Sequence, residues 1–167
     1  VDLRRHHPHL MERTRRVGLG PAAKAAIDAA NLVALEREIG AARKIAGGLG
    51  LLAMNVMRAV SEYAPYVKRS LECGIDAVVV GAGLPLDLPE LAQDHPDALL
   101  VPILSDARGV QRVVRKGERK KSLPDAIVLE HPAHAGGHLG AARIEELNEP
   151  RFDLERSVPE TVAVLRA

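Results

Sequence analysis

The stretch Leu49–Met57, LGLLAMNVM, decides how the rest of the chain is read. It is a continuous apolar run with no alternation of apolar and polar residues. A strand with one wet face alternates, whereas a parallel strand covered on both faces does not. Three more stretches read the same way: IDAVVVGAG (75–83), DALLVPILS (97–105) and PDAIVLE (124–130). Helical patterns separate them. In LVALEREIGAARKIAGG (32–48), Leu32, Leu35, Ile39, Ala42 and Ala46 share one face, Asn31 is placed to cap the start, and Gly47-Gly48 ends the run. SEYAPYVKRSLECG (61–74) reads as a helix stopped by Gly74, with Pro65 in its first turn. DLPELAQ (87–93) is short. DARGVQRVVRKGERKK (106–121) turns Val110, Val113 and Val114 inward beneath a basic outer face, and SVPETVAVLRA (157–167) is a final helix.

Strand–helix units repeating about every 25 residues predict an α/β fold with a parallel sheet. About four such units fit half of a (β/α)8 TIM barrel, which when whole takes about 250 residues. A small doubly wound sheet also fits. No linker or low-complexity segment divides residues 1–167, so a single domain is expected.

Composition narrows the partners. Lys plus Arg number 23 against 22 for Asp plus Glu, a net charge of +1 that argues for neither a nucleic-acid nor a membrane partner. The one cysteine, Cys73, allows no internal disulfide, which fits a reducing, cytoplasmic setting. No apolar run approaches the roughly 20 residues of a membrane helix. Aromatic residues are 2% of the chain, so Ala, Val, Leu and Ile must build the core.

Sites in parallel α/β folds form at the carboxyl ends of the strands. The residues expected there are Asn55, Gly81-Ala82-Gly83, Ser105 with Asp106, and Glu130, followed by the loop EHPAHAGGHLG (130–140) with His131, His134 and His138. The histidine spacing resembles that of metal ligands. However, Gly136-Gly137 makes a loop, and metal ligands need rigid support, so no metal is expected. A histidine near neutral pKa suits acid–base work, and glycines allow a backbone to approach a flat or anionic ligand. Other signals are weak. GAGLPL (81–86) begins like a dinucleotide fingerprint but lacks its third glycine. GLGPAAK (18–24) lacks the ending of a P-loop. RVVRKGERKK (112–121) has no interleaved aromatics for base stacking.

Taken in order, LPDAIVLEHPAHAGGHLG (123–140), the MNV around Asn55, GIDAVVVGAGLPLDLPEL (74–91) and LLVPILSDARG (99–109) resemble the nitronate monooxygenase family, formerly the 2-nitropropane dioxygenases. The resemblance implies an FMN-dependent TIM barrel oxidising alkyl nitronates with molecular oxygen to a carbonyl compound and nitrite. It implies His138 as the catalytic residue, acting as base toward a neutral nitroalkane or stabilising a nitronate anion. It implies Asn55, Ser105, Glu130, Gly136 and Gly137 as cofactor-binding residues. Glu130 stands where many relatives carry Asp, and Ser105 where some carry Lys. The Gly-Gly-Met first strand and the late glycine-rich phosphate site of the family are absent. The expected reading is therefore the central part of a flavin barrel, strands three to six, inactive on its own. Two alternatives are an FMN-dependent enoyl-thioester reductase on the same scaffold and a non-catalytic half-barrel that self-associates through its exposed edges as a homo-oligomer.

Overall fold

The computed structural model describes residues 7–15, 20–135, 141 and 143–167. Two helices come first, α1 (Pro8–Arg15) and the 26-residue α2 (Pro21–Ala46). Then follow β1 (Ala53–Met57), α3 (Tyr63–Glu72), β2 (Ala77–Gly81), α4 (Leu88–Leu91), β3 (Leu99–Leu104), α5 (Ala107–Lys120) and β4 (Val128–Leu129). Short 3-10 turns at Pro132–His134, Ile144–Glu146 and Pro150–Phe152 lead to α6 (Leu154–Arg166).

The four strands form one all-parallel sheet in the order β1-β2-β3-β4, the order of the chain. Parallel neighbours need a crossover, and α3, α4 and α5 supply them. Register and the two-residue period sort the side chains onto two faces. Met54, Val56, Val78, Val80, Leu100 and Leu104 face the helices. There Val78 and Val80 are fully buried against Val67, Leu71 and Leu88. Leu104 and Leu129 pack instead with Val110 and Val113 of α5 and Val164 of α6. The opposite face carries Asn55, Met57, Val79, Val101, Ile103 and Val128. Met57 and Val128 remain 41% and 40% exposed on it. Among the described residues, the helices that pack on the sheet do so on the other face.

Two expectations are corrected here. β1 was read as a strand buried on both faces, but it is an edge strand, and only Val56 of its five residues is buried. An apolar run records strand character, not which faces are covered. The helix expected to begin at Asn31 begins ten residues earlier, at Pro21. Proline suits the first helical position, and the alanines of PAAKAAIDAA have the highest helix propensity. The predicted stop is present: Gly47, at φ 61°, closes α2 with its N–H donating to Arg43 O and Lys44 O.

Candidate functional site

The carboxyl ends of the strands are the place to look. Continuing the strand period by one residue puts Ser105 and Glu130 side by side, because Leu104 pairs with Leu129 and Glu130 N donates to Leu104 O at 2.9 Å. Both are half-buried, and both carry the parity of the uncovered face. Asn55 shares that parity and is exposed. It does not sit at the strand end as expected, because β1 runs on to Met57. Asn55 pairs with Val79, and Val79 with Val101, four residues before Ser105. Along the strands that is a drop of about 13 Å, across two strand spacings of about 5 Å each. The structure therefore joins Ser105 to Glu130 and sets Asn55 apart on the same open face.

The neighbouring positions are engaged in holding the rim. The Asp106 carboxylate caps α5 by accepting from Gly109 N at 2.7 Å. After β2 the chain turns through Ala82 (φ 58°) and Gly83 (φ 128°). At Gly83 a Cβ would meet the Arg58 side chain at 3.4 Å, and the φ itself disfavours any L side chain.

His131 is half-buried, and its role is local. Its Nδ1 accepts from Ala133 N at 3.2 Å, which assigns the proton to Nε2. Nε2 then faces Asp153 Oδ1 at 3.8 Å, linking the strand end to the start of α6. The His134 ring lies 5.1 Å away and tilted, exposed to solvent. Among the described residues no cluster of three or more His, Cys, Asp or Glu is placed to hold a metal ion. His138, Gly136 and Gly137 lie outside the described residues.

Two arginines that sequence reading passed over shape the electrostatics of this end. Arg58, just past β1, pairs with Asp87 at 3.1 Å and lies 4.8 Å over the Tyr63 ring. The Tyr63 hydroxyl is buried without a hydrogen-bond partner, and its pKa is pushed well above the usual range, first by desolvation and then by the charge of Asp87. Arg151 sits among Glu149 (2.7 Å), Glu146 (2.8 Å) and Asp106 (3.6 Å), 4.5 Å over the Phe152 ring. The only sequence signal for it was one arginine closing the acidic run EELNEPR (145–151).

A cleft of about 280 Å³ opens between α2 and β1, lined by Asn31, Leu35, Asn55, Met57 and Tyr66 among others. Burial raises the Tyr66 pKa, and a hydrogen bond with Asn31 pulls it partway back. A larger cleft, about 670 Å³, lies at the opposite, amino end of the sheet between His95 and Lys121. None of the expected site residues lines it.

A flavin ring offers both donors and acceptors along its polar edge. Ser105 and Glu130 place a hydroxyl and a carboxylate side by side on the uncovered face, which suits such an edge, whereas Asn55 lies too far down the strands to share it. An anionic phosphate needs free cations or backbone N–H groups. At this rim, Arg58 and Arg151 are both already paired to carboxylates. Of the described residues, Ser105 and Glu130 would suit the ring edge, and neither Arg58 nor Arg151 would be free for a phosphate. No family model and no curated protein matches the chain.

Proposed function

We propose that the chain forms the central β/α units of a (β/α)8 barrel that binds FMN, and that the whole enzyme oxidises alkyl nitronates with molecular oxygen to a carbonyl compound and nitrite. One observation carries this reading. Asn55, Ser105 and Glu130, singled out by their resemblance to a flavoenzyme family, all fall on the uncovered face of a sequentially ordered parallel sheet. Every described helix that packs on the sheet lies on the other face, which is the arrangement of a barrel wall. Four strands are half of the eight that closure needs.

In this reading Ser105 and Glu130 hold the polar edge of the flavin, Asn55 lies too far down the same face to share that edge, and Gly136-Gly137 lets the following loop approach it. The flavin supplies the redox chemistry. His138 takes the proton from the carbon of a neutral nitroalkane, or holds the negative charge of a nitronate that arrives already ionised. His131 keeps the start of that loop in place through its bonds to Ala133 and Asp153.

The test separates these roles. In the flavin-loaded whole enzyme, His138→Ala should lower oxygen uptake with a neutral nitroalkane by about 10²–10⁴-fold. It should lower uptake with the preformed nitronate less, and leave flavin binding intact by fluorescence titration. Equal losses on both substrates would remove His138 from the role of base. Flavin reduction by NAD(P)H coupled to enoyl-thioester turnover, without nitrite release, would overturn the reaction assignment. The 167-residue chain alone is expected to show no turnover, and robust oxygen consumption by it would refute the half-barrel reading.

A further inference from the structure

The charges of the chain are not spread evenly. Residues 106–121, DARGVQRVVRKGERKK, hold seven Lys and Arg against two Asp and Glu, a net +5. The whole chain is +1, so the remainder carries −4. Helix α5 then orders the positive charge. At about 100° and 1.5 Å per residue, Arg108, Arg112, Arg115 and Arg119 fall within an arc of about 60° and span about 16 Å. All four are exposed, on the side away from the buried Val110, Val113 and Gly117.

The fold itself does not use these guanidinium groups. Among the described residues none of the four pairs with a carboxylate or lies over a ring, whereas Lys120 pairs with Glu90 and Arg151 with three carboxylates. Both neighbours of α5 are in place. Val113 shares a narrow crevice with Leu88 of α4, and α6 packs alongside through Val164. The stripe stays exposed between them. It is also bounded by negative charge. Asp106, Glu146 and Glu149 gather around Arg151 at its amino end. On the flank of α4 stand Glu90 and, in the turn that follows, the exposed Asp94 and Asp97.

We propose that the arginine stripe of α5 is the docking surface of an acidic protein partner, one that presents an α-helix with carboxylates at the same spacing of four, three and four residues. The planar fork of arginine matches a carboxylate with two parallel N–H···O bonds. Two helices lying side by side share one rise per residue, so their stripes stay in step over about 16 Å and each arginine meets one acid. Other polyanions fit this surface less well. An anionic membrane or a nucleic-acid duplex extends beyond the stripe and meets the acids that border it. A single-stranded nucleic acid would find no aromatic side chain on α5 for its bases to stack on. Because the pairs form at an exposed surface, each contributes modestly and salt weakens them all. Their main effect is on the choice of partner and the rate of encounter.

The inference is independent of the flavin reading, because the stripe points away from the sheet and its test needs neither cofactor nor turnover. The probe is a helical, alanine-based peptide carrying four glutamates at the four-three-four spacing, titrated into the 167-residue chain and followed by calorimetry. It should bind at an ionic strength of about 0.01 M, where the Debye length is about 30 Å, and be released near 1 M, where it is about 3 Å. A peptide of the same composition with its glutamates spread around the helix should bind about tenfold more weakly. Arg108→Gln, Arg112→Gln, Arg115→Gln and Arg119→Gln should each weaken binding about two- to fivefold. Each variant should melt no lower than the unaltered chain, since a like charge is removed, so lost binding is not lost folding. Absence of binding at low salt would overturn the proposal, as would equal binding of the two peptides or indifference to all four substitutions. Tighter binding to duplex DNA or to vesicles of anionic lipid than to the matched peptide would overturn it as well.

Discussion

Gly117 shows how much one missing side chain can matter. It lies buried near the end of α5, and a Cβ there would sit 2.6 Å from Ser122 O and 3.2 Å from Leu123 Cα. Both are backbone atoms of the turn that begins at Lys121, itself at φ 54°, so the neighbour cannot swing aside. Gly117→Ala is expected to lose about 1–3 kcal/mol despite alanine's better helix propensity. Urea denaturation would measure it, and an unchanged or raised midpoint would show that the turn can shift. Asp76 is informative for a different reason. Its carboxylate accepts from Leu52 N at 2.7 Å and pairs with Arg43 at 3.2 Å, and the backbone bond first, then the arginine, holds its pKa below the usual carboxylate value. A depressed folded pKa contributes stability above the unfolded pKa of about 3.9 and loses it as pH falls through the folded value. Acid titrations of stability should therefore fall more steeply below about pH 4 for the native chain than for Asp76→Asn. Parallel curves would show that Asp76 is not a source of acid sensitivity.

Helix α5 carries its charge in an unusual pattern. Arg108, Arg112, Arg115 and Arg119 follow one another at helical spacings of four, three and four, opposite the buried Val110, Val113 and Gly117. Among the described residues none of the four makes an ion pair. Like charges at these spacings repel by about 0.2–0.5 kcal/mol per pair. Arg112→Gln removes three such pairs, with Arg108, Arg115 and Lys116, and should raise stability by about 0.6–1.5 kcal/mol at low salt, with the gain vanishing near 1 M salt, where the Debye length is about 3 Å. Melting curves at the two salt levels decide it, and a loss of stability would mean that Arg112 has a partner. At this scale the sequence was readable where its pattern has a physical cause. The three valines of α5, the Gly74 stop after α3 and the αL glycine after α2 follow from periodicity and from φ > 0. The start of α2 was not readable, because alanines 22–30 show no contrast between a buried and an exposed face. The shortness of β4 was also hidden. PDAIVLE has strand character throughout, yet only Val128 and Leu129 pair, and Asp125 is spent accepting from Leu100 N at 2.8 Å.

For the whole molecule, the parallel sheet and its strand order were legible because strands and helices alternate at regular spacing. That the helices lie on one face was not, because apolar residues on an uncovered face look the same in sequence as those under a helix. The site divides in the same way. Ser105 and Glu130 meet because they end adjacent strands in register, which counting residues could anticipate. The offset of Asn55 depends on where β1 stops, and the pairing of Arg151 with three carboxylates depends on a loop fold that no local pattern encodes. The strand order has one more consequence. Since β1, β2, β3 and β4 are neighbours in the order in which they are synthesised, each unit leaving the ribosome finds the surface it docks on already made. No strand waits for a downstream partner to be inserted between itself and its predecessor, so the sheet can grow by one edge throughout translation.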